Sequence, residues 1–130
     1  MNCDILITNG LVKTPDSPDP EHPGFVTIRH GLIISMGAMA ELPAQIRASK
    51  TIDARGGLVM PGLINLHGHA AMSLFRGMAD DLPLMTWLND HIWPAEGEFI
   101  NEAFIADGTQ LAMAEMLRTG TTTFSDMYFF

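Results

Sequence analysis

Two imidazoles separated by one glycine, His67-Gly68-His69, close the apolar run LVMPGLINLH at residues 58–67. In a strand, residues i and i+2 point to one face. If the strand persists through residue 69, both rings therefore project the same way. At that spacing two ring nitrogens can reach one metal ion at about 2.0–2.1 Å, and the glycine adds no bulk between them. The alternative is a pair of ordinary polar residues where a strand leaves the core. A catalytic zinc site needs at least three protein ligands, so any further ligands must come from elsewhere.

The other chemistry-bearing residues are dispersed. His22 falls in a loop, His30 in a turn and His91 on a helix, and all three read as non-ligands. Cys3 sits at the edge of the first strand with no base near it in sequence. Asp126, at the end of a β-branched strand, reads as a capping or turn residue. Taken alone, Glu96 is one of fifteen acids, an exposed glutamate after a helix. Trp87 fits either a pocket wall or the core face of an amphipathic helix. The ten methionines read as adaptable core filler.

The elements that must position these residues fall into two textures. CDILIT and LVKT flank Asn9-Gly10, which predicts a hairpin over residues 3–14. The proline-rich PDSPDPEHP, 15–23, predicts an exposed loop. FVTIR and LIISM flank His30-Gly31 and predict a second hairpin over 24–36. Residues 38–48 form a short helix or irregular turn around Pro43, and KTIDARG is another short strand. Residues 1–57 thus read as the start of a small β-sandwich or sheet. After residue 58 the texture changes. LINLH reads as a strand buried on both faces, as in a parallel sheet. Residues 84–93 look helical, with Pro94 ending that helix or turning the chain. Asn101 caps a helix to about Arg118, with an apolar stripe of Ile105, Ala112, Met113, Met116 and Leu117. Gly120 stops it, and TTTFSDM, 121–127, is the next strand. The order strand, helix, helix, strand is a βαβ unit. No internal repeat or low-complexity segment interrupts it.

Composition narrows the classes. At 130 residues and 47% hydrophobic the chain can bury a core. Its net charge of −8, with no basic patch, disfavours nucleic acid and anionic membrane, whose phosphates would repel it. One cysteine excludes an internal disulfide and fits a reduced cytoplasm. The N-terminus MNCDILITNG has no signal-peptide pattern, and no stretch approaches the roughly 20 apolar residues of a membrane span.

VMPGLINLHGHAAMSLFRG resembles the first metal motif of the amidohydrolase superfamily, zinc-dependent hydrolases built on a (β/α)8 barrel. Pro61-Gly62, the apolar run and His-x-His carry the match. LFRGMADDLPLMTWLNDHIWPAE, 74–96, is similar to the 5-methylthioadenosine/S-adenosylhomocysteine deaminases within the nucleobase-deaminase and chlorohydrolase branch. RTGTTTFSDMY, 118–128, resembles the end of that group's second barrel strand, and residues 1–57 resemble part of its accessory β-sandwich. His-x-His is shared by many amidohydrolases; the Arg-Gly … Trp-Leu … Pro-Ala-Glu spacing is more specific.

The resemblance implies an α/β fold: the N-terminal fragment of a (β/α)8 metallo-hydrolase barrel, residues 58–130, preceded by part of a β-sandwich domain, residues 1–57. It implies that His67 and His69 are metal ligands at the C-terminal end of the first barrel strand. The ion would be one divalent metal per subunit, zinc with iron as the alternative, completed by ligands from later strands. A water made acidic near neutral pH would attack the purine carbon bearing the amino group, a later carboxylate would move protons, and ammonia would leave. Glu96 matches the position that binds the ribose hydroxyls, a task suited to a carboxylate, and Trp87 would line the same pocket. A whole barrel takes about 250 residues, so no acid–base group is expected within this chain, and the chain alone is expected to be inactive. The parent is expected to be a cytoplasmic homo-oligomer acting on a small nucleoside. Two other readings stay open: a guanine or cytosine deaminase or triazine chlorohydrolase of the same branch, or a non-catalytic metal- or partner-binding module.

Overall fold

A computed structural model describes residues 2–16, 20 and 22–128, and the chain divides into two units, Met1–Pro61 and Gly62–Phe130. Of the loop expected over 15–23, residues 17–19 and 21 lie outside the described residues; Pro15, Asp16, His22 and Pro23 are exposed. No helix among the described residues is long and apolar enough to cross a membrane.

In the first unit the strands are β1 (Asn2–Val12), β2 (Gly24–Arg29), β3 (Leu32–Ala38), β4 (Arg47–Asp53) and β5 (Leu58–Val59). They form one sheet in the order β3-β2-β1-β4, with β5 also paired to β1. His30 and Gly31 take φ of 51° and 76°, the two left-handed positions of the turn that best matches strand twist, and β2 and β3 pair antiparallel across it. The hairpin expected at Asn9-Gly10 does not form. β1 runs straight through, with Asn9 at φ 55° and a register break against β2 between Ile7 and Gly10. The left-handed residue is absorbed as a bulge, because β1 has partners on both sides of it. Residues 2–8 pair parallel with β4, and Leu11 and Val12 pair parallel with β5. Asn9 Nδ2 ties the bulge to Asp53 Oδ1 at 3.0 Å.

The core of this unit is Cys3, Leu6 and Phe25, with Met39, Leu42, Ile46 and Ala48 packed against it. Leu58 and Val59, grouped with the second texture in sequence, belong to this sheet through β1. The described residues of this unit form a single sheet; the second layer of a sandwich is not among them.

The second unit is mixed α/β. Strands β6 (Leu63–Gly68) and β7 (Thr121–Asp126) lie parallel. Between them run a 3-10 helix (Ala70–Phe75), α1 (Leu84–Trp87), a π-helical turn (Leu88–Ile92), α2 (Trp93–Phe99) and α3 (Glu102–Arg118). Asn101 caps α3, its side chain accepting from Phe104 N at 2.9 Å, and Gly120 ends it at φ 92°. The apolar stripe of α3 is narrower than expected. Ala112 is buried, but Met113 and Leu117 are 37% and 67% exposed. The contact is made instead by Gly108, where a Cβ would lie 2.4 Å from the Ala71 carbonyl oxygen. Phe75 and Phe104 stack at 4.8 Å, and Arg76 forks onto Glu115 at 2.8 and 2.6 Å. The expectation that LINLH is buried on both faces does not hold: Leu63, Ile64 and Leu66 are 50%, 64% and 79% exposed. Among the described residues β6 has one neighbouring strand, β7, and its outer faces are left uncovered.

Candidate metal centre and adjoining cavity

The end of β6 is held by a carboxylate. Gly68 is the last strand residue, and its carbonyl accepts from Met127 N at 3.1 Å. Asp126 Oδ1 then accepts from Ala70 N at 3.1 Å and from Met127 N at 2.9 Å. The chain therefore leaves the strand and enters the 3-10 helix at a fixed point. Ala70 and Ala71 are buried, and their small size, with Gly108 opposite, lets the 3-10 helix and α3 approach closely. His69 lies between these anchors, at φ −130° and ψ 72°. Asp126 thus plays the capping part read from sequence, and through that part it sets the backbone of His69.

The two imidazoles lie together although the strand stops at Gly68. Their ring centres are 5.2 Å apart, at 75° to each other. Two imidazoles bound at about 2.0–2.1 Å to one tetrahedral ion have ring centres about 5 Å apart, so the pair fits two positions of such a site. Both rings are exposed. Among the described residues no group of three or more His, Cys, Asp and Glu side chains could hold a metal ion. His30 is at the turn of the other unit, with its N–H donated to Asp4 Oδ2 at 2.6 Å.

Beside His69 lies a cavity of about 300 Å³, whose walls include Met72, Trp87, Ile92, Glu96 and Tyr128. A neighbouring hollow of about 330 Å³ shares His69, Met72, Trp87 and Ile92. The π turn explains how Trp87 and Glu96 reach one cavity. Nine residues apart in a regular helix, at about 100° per residue, they would face opposite ways. A π turn absorbs one extra residue and brings them to within about 80° of each other. The i−5 bond from Trp93 N to Leu88 O marks that turn. Pro94 therefore does not end the helix. It stands just past the π turn, at the start of α2.

Sequence reasoning did not single out Tyr128. Its hydroxyl donates to Glu96 Oε1 at 2.8 Å, and its ring meets His69 edge-on at 6.5 Å. Burial, foremost, then the hydrogen bond and charge of Glu96 and the charge of Asp126, push the phenol well above its ordinary value. It therefore stays a donor throughout the neutral range. The available signal was positional: Tyr128 stands just past β7, at the same strand ends as the two histidines. His69, Trp87 and Glu96 thus converge on one cavity, with His67 beside His69.

Residues 58–130 match the Amidohydrolase family, and the chain belongs to it. Over 110 residues it is 63% identical to a 5-methylthioadenosine/S-adenosylhomocysteine deaminase of Saccharophagus degradans, covering 85% of this chain and 24% of that protein. It is 49% identical over 129 residues to a 5'-deoxyadenosine deaminase of Methanococcoides burtonii, covering 98% of this chain and 29% of that one. A crystal structure of an adenosine deaminase from Xanthomonas campestris with bound zinc superposes with a TM-score of 0.92 at 44% identity, covering 99% of this chain and 30% of that one. The chain thus spans 24–30% of the length of these relatives.

Proposed function

We propose that this chain is the N-terminal part of a (β/α)8 amidohydrolase that hydrolytically deaminates adenosine derivatives such as 5-methylthioadenosine and S-adenosylhomocysteine, releasing ammonia. The observation that carries the reading is the convergence of His69, Trp87 and Glu96 on one cavity, with a second imidazole 5.2 Å from the first. One relative is named for these two substrates and another for 5'-deoxyadenosine, all adenosine derivatives. His67 and His69 would hold one divalent ion, zinc as in the Xanthomonas campestris relative or iron. When bound, that ion lowers the pKa of a water molecule toward neutrality.

Three further residues of this chain bind the substrate or position the site. Glu96, half-buried on α2, accepts hydrogen bonds from the two adjacent ribose hydroxyls. Trp87 presents an apolar wall to the purine and keeps water from that side. Asp126 fixes the backbone of His69. The proton-moving groups lie on strands beyond this chain. The active form is read as a cytoplasmic homo-oligomer that needs no nucleic acid or membrane.

Glu96 separates this reading from its neighbours in the branch, because a free guanine, cytosine or triazine carries no ribose. In the full-length enzyme, Glu96→Gln is expected to raise KM for 5-methylthioadenosine by about tenfold or more, the loss of a charge-assisted hydrogen bond or two. Unchanged nucleoside kinetics would refute the ribose role.

A further inference from the structure

We propose that Tyr128 is a positioning residue that sets the ribose-reading carboxylate at a fixed distance from the metal-binding end of the cavity. The inference rests on the reading of Glu96 given above. The hydrogen bond from the Tyr128 hydroxyl to Glu96 Oε1, 2.8 Å long, joins groups 32 residues apart in sequence. Glu96 is carried by α2, on the far side of a π turn. Tyr128 stands two residues past the end of β7, with its ring edge-on to His69. The phenol therefore ties the helix that carries the sugar-binding group to the strand ends that carry the imidazoles.

An ionised carboxylate has about four acceptor positions. Tyr128 fills one on Oε1, which orients the plane of the group. A side chain with three rotatable bonds is held in one setting, with Oε2 and the remaining position on Oε1 left for a vicinal diol. Both Tyr128 and Glu96 are half-buried, so water competes weakly for this bond. The substrate feature read through Tyr128 is thus the 2',3'-diol of a nucleoside, and its class is a ribonucleoside rather than a deoxy- or dideoxynucleoside.

The test is the ratio of kcat/KM for adenosine to that for 2',3'-dideoxyadenosine, measured on the full-length enzyme. Tyr128→Phe removes one oxygen and leaves the ring in place, so the fold is kept. The substitution is expected to lower the ratio about five- to tenfold, with the change in KM for adenosine rather than in kcat. Glu96→Ala is expected to lower it further, and Tyr128→Phe added to Glu96→Ala is expected to change it no more. A wild-type ratio in Tyr128→Phe, with a reduced ratio in Glu96→Ala, would overturn the role of Tyr128 and leave that of Glu96 standing. A wild-type ratio in Glu96→Ala would overturn both.

Discussion

His67 lies in β6 and His69 just past it, and substitution of either should differ in kind from that of Asp126. Replacing either histidine by alanine removes a proposed ligand. In the full-length enzyme the bound metal and the deamination rate should both fall, by at least about a hundredfold in affinity. Stoichiometric metal in the double variant, measured by elemental analysis, would exclude the pair as ligands. Asp126 touches neither ring, yet its Oδ1 accepts two backbone N–H groups, from Ala70 and Met127. Asp126→Ala strands the Ala70 donor, while Met127 N keeps the Gly68 carbonyl, at a cost of about 1–3 kcal/mol. Asp126→Asn keeps an acceptor oxygen and should recover most of the stability, read as a melting temperature. The His-x-His spacing was legible because its chemistry is local. Tyr128 was not, because its partner Glu96 is 32 residues away and the two meet only through the packing of α2 beside β7.

At the scale of elements, Gly108 sets two effects against each other. In a helix interior, alanine is favoured over glycine by about 1 kcal/mol. A Cβ at Gly108, however, would meet three backbone atoms of Ala71, at 2.4, 2.8 and 3.0 Å. Backbone cannot swing aside, and overpacking of this kind costs about 1–3 kcal/mol or more. Gly108→Ala is therefore expected to destabilise, as a lower midpoint in urea; a higher midpoint would contradict the close packing of α3 on the 3-10 helix.

The Arg76–Glu115 fork is exposed, and its hydrogen bond holds the Glu115 carboxyl below its usual range. A depressed carboxyl stabilises the fold above its ordinary value and loses that contribution as pH falls through the lowered one. Acid melts should show that loss in the wild type and a smaller one in Arg76→Met. Much of this scale was readable. The cap at Asn101, the stop at Gly120 and the turn at His30-Gly31 each depend on one or two residues. Asn9-Gly10 misled because the same left-handed residue serves a hairpin or a bulge, and distant β4 and β5 decide which. Pro94 misled because a π turn needs no sequence signature of its own.

At the scale of the molecule, the first strand of the second unit leaves apolar residues uncovered. Leu63, Ile64 and Leu66 of β6 are all at least half exposed, and β6 has one strand neighbour. Uncovered apolar strands of this kind associate. Expressed alone, the 130 residues should self-associate, bind metal weakly and release no ammonia from any nucleoside. A monodisperse monomer in sedimentation would count against the barrel reading. The βαβ order was legible from LINLH, the two helices and TTTFSDM, although Leu58 and Val59 belong to the first sheet. The burial of LINLH was not, since periodicity reports what a strand is built to face and not which part of the protein supplies it.

The central claim is that the full-length protein hydrolyses the amino group of a nucleoside. The direct measurement is ammonia release by that protein, loaded with zinc, from 5-methylthioadenosine and S-adenosylhomocysteine beside adenine, guanine and cytosine. Stoichiometric ammonia and the corresponding inosine derivative from the two nucleosides, with the free bases turned over at least about a hundredfold less efficiently, is the predicted result. Turnover of a free base at the same efficiency, or no ammonia from either nucleoside, would contradict it.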